Sequence, residues 1–227
     1  MADLALFCWS GGKDSALALH ALSRNAEVRV ASLLATVTEG YDRVSMHGVR
    51  RELLHRQAES LRLPLHEVFI PPQCVNPIYE TRMEEAMRHF LAKGIRKVAF
   101  GDIFLEDLRR YRENNLARVE MQAVFPIWKR DTRELVRDFQ ALGFRAVAVC
   151  IDSRVLDPGF AGRELDASFF SALPPNVDPC GENGEFHTFV FDGPLFAQPV
   201  PFTIGEKVER DGFVFCDLLP ATPLKEV

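Results

Sequence analysis

Six residues, Ser10, Gly11, Gly12, Lys13, Asp14 and Ser15, stand between a continuously apolar run, residues 4–9, and a segment of helical character, residues 16–24. A short apolar run ended by a glycine pair is the pattern of a strand buried on both faces, and such strands belong mostly to parallel sheets covered by helices. Strand, tight turn and helix therefore open the fold, and the turn suits an anion. Two glycines clear the backbone of side chains, and the start of the following helix presents unpaired N–H groups. Ser10 and Ser15 add hydroxyl donors, and Lys13 offsets phosphate charge. Asp14 makes chemical sense beside phosphates if it holds magnesium. The plain alternative is a glycine turn whose helix is capped by Asp14 or Ser15.

The alternation continues along the chain. Strands are expected at 28–37, 65–70, 97–102, 123–128 and 145–151, and helices at 49–61, 77–91, 105–116 and 132–142. Strands and helices in turn at this spacing predict an α/β fold whose core is a doubly wound, mostly parallel sheet covered on both sides. After Asp152 the rhythm gives way to Gly-, Pro- and acid-rich stretches, with obvious strands only at 187–191 and 213–218. A boundary is expected near residue 150, dividing 1–150 from a smaller, irregular α+β lobe over 151–227; a long decorated edge of one domain is the alternative.

Composition narrows the function classes. Of 227 residues 47% are hydrophobic and 26% charged, which is the balance of a globular enzyme. The net charge of −5 argues against a non-specific nucleic-acid binder, so no direct nucleic-acid partner is expected. The charge is uneven: residues 1–150 carry 22 Lys/Arg against 19 Asp/Glu, and residues 151–227 carry 5 against 13. That suits phosphates in front and a cationic partner behind, or simply an acidic surface. Five cysteines without a CxxC pair fit free thiols in a reducing compartment. Residues 2–9 lack a basic leader and no run approaches eighteen apolar residues, so a cytoplasmic location without a membrane span is expected.

The loop is not the GxxxxGK[ST] type. It resembles the SGGxDS PP-loop of the N-type ATP pyrophosphatases, which cradles pyrophosphate while the α-phosphate is attacked. Further blocks narrow the resemblance: FCWSGGKDSALALH (7–20), RVSMHGVRRELLHRQAESLRLPL (43–65), FGDIFLEDLRRYRE (100–113), RDTRELVRDFQALGFRAVAVCID (130–152), FAGREL (160–165) and DPCGENGEFHTFVFDGPLF (178–196). With these the sequence is similar to the diphthine–ammonia ligase family. The resemblance implies an adenine nucleotide alpha hydrolase-like nucleotide domain of the HUP type, followed by a smaller substrate domain. The implied reaction uses ATP and magnesium to adenylate a carboxylate, releases pyrophosphate, and lets ammonia displace AMP. The implied carboxylate is diphthine on elongation factor 2. Another carboxylate, or a non-catalytic ATP-binding protein, are the alternatives.

Carried onto this chain, the resemblance implies that Ser10, Gly11, Gly12, Lys13, Asp14 and Ser15 hold the pyrophosphate side of ATP. Strand order in such sheets reverses where the ligand binds, beyond the carboxyl ends of the strands. Ala35, Thr36 and Val37 are thus candidates to border adenine, or are plain strand burial. His47 faces the same crevice or caps a helix. Gly101 and Asp102 end the fourth strand, where Asp102, with Asp14, is a candidate magnesium ligand. Lys13, Asp14, Asp102, Glu182 and Glu185 are the candidate catalytic residues. Glu182 and Glu185 would attract a trimethylammonium group or orient ammonia. Arg50 and Arg51 are either phosphate contacts or a solvated helix face, and Cys180 is a weak candidate nucleophile.

Overall fold

The computed structural model describes residues 2–45 and 48–222; His47 and Met46 lie outside the described residues. The chain divides into two compact units. The described residues within 1–10, 14–42 and 63–130 form the first, and those within 11–13, 43–62 and 131–227 the second. The protein is thus a mixed α/β chain with a sheet in each unit.

In the first unit, strands β1 (Asp3–Cys8), β2 (Val28–Thr38), β4 (Leu65–Ile70), β5 (Lys97–Ala99) and β6 (Gln122–Val124) are parallel. The two-residue strand β3 (Arg43–Val44) counts with the second unit. β1 pairs β2 on one side and β5 on the other, β4 extends the sheet beyond β2, and β6 extends it beyond β5. Strand order therefore reverses at β1, and the residues following β1 and β5 lie where an open parallel sheet binds ligands. Leu6 and Val98 of these strands are fully buried, and Met87 and Phe90 of α3 (Asn76–Ala92) join their core cluster. β6 is shorter than the run 123–128 suggests. It stops before Pro126, which offers no N–H to a ladder.

Helix α1 (Lys13–Ser23) begins inside the glycine motif, so Asp14 sits in its first turn, where a carboxylate complements the helix dipole. Helix α4 (Glu106–Ala117) follows β5, and α3 starts with a proline near N1, the one helical turn that tolerates it.

The second unit carries an antiparallel sheet in the order β8 (Phe186–Asp192), β7 (Arg145–Asp152), β10 (Phe213–Pro220), β9 (Phe202–Arg210). Here two expectations are corrected. The run 145–151 does not add to the parallel sheet; as β7 it pairs antiparallel with β8 and β10. A central strand buried on both faces reads as a continuous apolar run in either kind of sheet, so the pattern could not distinguish them. β9 has no counterpart among the expected strands. It is an edge strand with no fully buried residue, and its charges and Gly205 mask the alternation. Helices α2 (Arg51–Ser60), α5 (Thr132–Ala141) and α6 (Ala167–Ser171) complete the unit. Asp131 caps α5 by accepting from the N–H groups of Arg133 and Glu134. Among the described residues no helix is long and apolar enough to cross a membrane.

Candidate functional site

In the first unit the ends of β1 and β5 bring together Ser10, Asp14, Ser15, Gly101 and Asp102. The hydroxyls of Ser10 and Ser15 lie 2.8 Å apart, and the Ser10 N–H donates to Ser15 Oγ at 3.3 Å, so the turn closes on itself. Gly101 passes so close to α1 that a Cβ there would stand 3.0 Å from the Ser15 nitrogen and 3.1 Å from the Asp14 carbonyl carbon. Backbone cannot move aside as a flexible side chain does, so only glycine fits.

Asp102, next in the chain, meets Arg112 of α4. Arg112 Nη2 donates to Asp102 Oδ1 at 3.0 Å, and Nε lies 2.6 Å from Oδ2. The second contact is close but poorly directed, and both Nε and Oδ2 are buried without a hydrogen bond. The pair sits beside the Cys8 thiol, which burial pushes up to about 12. Cys8 is therefore a neutral thiol at physiological pH. Ala35, Thr36 and Val37 run past the last β1 partner of β2, Leu34, and pair with Glu67, Val68 and Phe69 of β4.

In the second unit, residues 11–13 are fastened to β8. The Gly11 carbonyl accepts from the Val190 N–H at 2.8 Å and from the Gln57 side-chain amide at 3.0 Å, and the Lys13 N–H donates to Thr188 Oγ1 at 3.0 Å. Gly11 has φ of +80°, and a Cβ there would lie 2.8 Å from Gln57 Oε1. Gln57 is fully buried and also donates to the Val190 carbonyl at 2.6 Å, so one amide holds both the turn and the strand. The Lys13 side chain is 1% exposed; its ammonium donates to the Cys180 carbonyl and lies 5.5 Å from the centre of the Phe186 ring.

The loop 178–185 is built around two carboxylates. Asp178 Oδ1 accepts from the Cys180 and Glu182 N–H groups at 2.9 and 3.3 Å, and Oδ2 accepts from Thr132 Oγ1 at 2.8 Å. Glu185, 7% exposed, accepts from the Asp178 N–H, the Asn183 N–H and the Asn183 side-chain amide at 3.0, 3.0 and 3.1 Å. Its oxygens are committed to the loop, whereas Glu182 is half-buried and bonded through its backbone. The Cys180 thiol is buried and donates to the Thr132 carbonyl at 3.5 Å. Burial and the Lys13 charge push His187 down to about 4, so it is neutral near pH 7. Phe186 packs edge-on against Phe169 at 5.4 Å, and Phe189 edge-on against Phe202 at 5.9 Å, both as core.

Gln57 and Arg112 are the residues that sequence reasoning missed, because each acts through a partner 46 or 10 positions away. Arg50 keeps a partly solvated side chain, 40% exposed, and is also tied into the second unit. With Arg43 it clamps Asp217 of β10, at 2.6 and 2.8 Å.

Among the described residues no three His, Cys, Asp or Glu side chains gather to hold a metal. Two hard carboxylates, Asp14 and Asp102, the latter ion-paired to Arg112 with one buried oxygen outside any hydrogen bond, suit instead an ion that arrives on phosphates and keeps several waters.

Two family profiles cover the chain: the diphthamide synthase N-terminal domain over residues 4–123 and the diphthamide synthase C-terminal domain over residues 131–218. Relatives carrying the name diphthine–ammonia ligase include one from Schizosaccharomyces pombe, 27% identical across 92% of this chain and 38% of its own length. One from Bos taurus is 27% identical over 91% of this chain and 85% of its own, and one from Danio rerio is 27% identical over 88% and 86%. The chain thus spans well under half of the S. pombe protein.

Proposed function

The chain belongs to the diphthamide synthase family of enzymes, and from that premise we propose that it is an ATP-dependent, AMP- and pyrophosphate-forming ligase that joins ammonia to a carboxylate. The observation that carries this reading is the SGGKDS turn at the reversal of strand order, with Gly101 pressed against the start of α1. Such a turn, at the end of a parallel sheet and the start of a helix, suits an anion, and it supports the HUP-type reading taken from the sequence.

In this reading Ser10, Gly11, Gly12, Lys13, Asp14 and Ser15 hold the phosphates, with Gly101 letting β5 pack close under the start of α1 beside them and Ala35, Thr36 and Val37 bordering adenine; His47 keeps the nucleotide-side role expected from its sequence position. Asp14 and Asp102 are the residues that would hold magnesium, which would supply charge neutralisation on the phosphates. The carboxylate oxygen attacks the α-phosphorus, the bond to the bridging oxygen breaks, and pyrophosphate leaves; ammonia then adds to the acyl carbon, AMP departs with the C–O bond pair, and the nitrogen gives up one proton to solvent to leave the neutral amide. N–H donors at the start of α1 meet charge developing on phosphate, and placement of the two substrates supplies the rest. The substrate-side role expected of residues 151–227 falls to segment 178–192, where Glu182 orients ammonia and Glu185 keeps the loop in shape. Lys13 assists at the phosphates by turning from the Cys180 carbonyl.

Diphthine on elongation factor 2 is the candidate carboxylate, drawn from the names of the relatives; a different carboxylate is the second reading. The test is release of AMP and pyrophosphate from ATP, magnesium and ammonium, with and without diphthine-bearing elongation factor 2. Release that depends on the modified factor, with a new amide on it, is the expected outcome. AMP formed only with another carboxylate keeps the chemistry and removes diphthine; no AMP with any carboxylate overturns the ligase reading.

A further inference from the structure

Most charges on α4 and on the turn after β6 cancel at short range. Lys129 pairs with Glu106 at 2.9 Å, Asp107 with Arg110, and Arg112 with Asp102. Arg109 is held differently. Its Nε donates to Glu113 Oε1 at 2.8 Å, and its two Nη groups have no acceptor among the described residues. The guanidinium lies 5.0 Å from the centre of the Phe125 ring and 4.8 Å from that of Trp128, in the notch these rings form at 5.6 Å and 52° to each other. Arg109 has no role in the chemistry above.

Fixing an arginine costs rotamer entropy, and an exposed ion pair such as that with Glu113 offsets little of it. The two aromatic rings add cation–π attraction and hold the guanidinium in place. The side chain nevertheless keeps 33% of its surface exposed. What remains unpaired is the edge carrying both Nη groups, a planar fork that matches the two oxygens of a carboxylate. A fork set in position before its ligand arrives loses less freedom on binding. Glu113 is itself 42% exposed, so water screens its charge from an anion on that other edge.

The fork belongs to the carboxyl end of the parallel sheet, where such sheets bind ligands. Phe125 and Trp128 follow β6, and α4 follows β5. The Lys129 N–H donates to the Ile103 carbonyl at 2.7 Å, and Phe125 stacks on Phe100 at 5.6 Å, so the turn after β6 is fastened to the residues that flank Gly101 and Asp102. β6 stands two strands from β1, about 10 Å at the usual strand spacing. In the proposed reading pyrophosphate occupies the turn after β1, and adenine borders β2, on the opposite side of β1 from β5 and β6. The side of β5 and β6 is left for the second substrate.

We propose that Arg109, held by Phe125 and Trp128, binds through its Nη groups the carboxylate that the enzyme activates. The inference rests on the ligase reading and deepens it by naming the residue that receives the reacting group. It is tested on the full chain with magnesium and α,β-methylene-ATP, titrated with sodium acetate against sodium chloride at equal ionic strength. The signal followed is the indole N–H of Trp128, identified by its loss in Trp128→Phe. Expected is saturable movement with acetate and none with chloride. Arg109→Lys keeps the charge but loses the fork, and should weaken acetate about tenfold or more while affinity for the ATP analogue stays within about twofold. Should that variant not fold, Phe125→Leu, which removes one of the two rings that hold the guanidinium, should weaken acetate several-fold and decides in its place. An indole signal that acetate leaves unmoved, or an acetate response that survives these substitutions unchanged, overturns the assignment. Loss of analogue affinity in Arg109→Lys without an acetate response also overturns it, and gives Arg109 to the phosphates. The two readings fail separately. An acetate response that Arg109→Lys removes, with no AMP from any carboxylate, leaves a carboxylate site and sinks the ligase; AMP formed by Arg109→Lys as efficiently as by the unaltered chain keeps the ligase and sinks the assignment.

Discussion

Gln57 shows how much one buried amide can hold. Its two hydrogen bonds reach the carbonyls of Gly11 and Val190; replacement by leucine would leave the Gly11 carbonyl with only the Val190 N–H and turn an apolar side chain toward the Val190 carbonyl. Each buried carbonyl deprived of a partner costs about 1–3 kcal/mol, so Gln57→Leu should lower the urea midpoint clearly and weaken ATP binding with it. An unchanged midpoint would show that water replaces the amide. Gly101→Ala tests the opposite kind of constraint. The added methyl meets backbone at 3.0 Å, so the start of α1 must shift, and KM for ATP should rise several-fold in a protein that still folds. Normal KM would mean that the turn has slack. Cys180 is buried and its thiol donates to a carbonyl, so Cys180→Ala should keep turnover with ATP; loss of turnover with ATP binding retained would restore the nucleophile that the geometry disfavours.

At the scale of elements, the second sheet carries two acid-sensitive points. His187 on β8 has its proton affinity lowered to about 4, below an unfolded value of about 6.5, so the unfolded chain binds the extra proton first. Its contribution is intact above about 6.5 and is lost as pH falls from there toward about 4, by at most about 3 kcal/mol. Asp217 on β10 behaves differently. Burial raises its proton affinity, but hydrogen bonds from Arg50 and Arg43 outweigh burial and bring it down to about 2. Its stabilisation is present above about 4 and disappears as pH falls toward about 2. Thermal melts from pH 7 to 3 should therefore show a first decline below about 6.5 that His187→Gln removes, and a later one that Asp217→Asn removes. A single decline insensitive to both substitutions would place the acid lability elsewhere.

The same elements show what the sequence could and could not reveal. The βα opening with its glycine turn was legible because a buried strand, a φ-permissive pair and a helix start all lie within about twenty consecutive residues. Direction of pairing was not: β7 is apolar on both faces, and that pattern fits a parallel or an antiparallel neighbour equally. The juxtaposition of 10–15 with 101–102 was legible because each stretch is contiguous and follows the end of a strand. The site was opaque where a residue works through a distant partner, as Gln57 does with Val190 and Arg112 with Asp102. Glu185 looked like an acid waiting for a cation because its loop contains no Lys or Arg; its partners turned out to be backbone and amide N–H groups, which composition cannot show.

At the scale of the whole molecule, the second unit is assembled from three separate stretches of chain. Residues 131–227 expressed alone would lack Gln57 for Val190, Ser60 for Gln198, and both arginines for Asp217. This fragment should show no cooperative melt under conditions where the full chain melts sharply; a cooperative melt of the fragment would mean that the earlier stretches are dispensable. The same arrangement fixes an order in time. Lys13 and Thr188 are joined by a hydrogen bond across 175 positions, and at ribosomal rates of about 5–20 residues per second the second is made roughly 10–35 s after the first. During that interval the nascent phosphate turn exists as sequence without its support, and nucleotide held there before β8 emerges would find residues 11–13 unfastened. In the proposed reading, competence to hold ATP is thus a property that translation delivers late, because the strand that fastens residues 11–13 follows them by 175 positions.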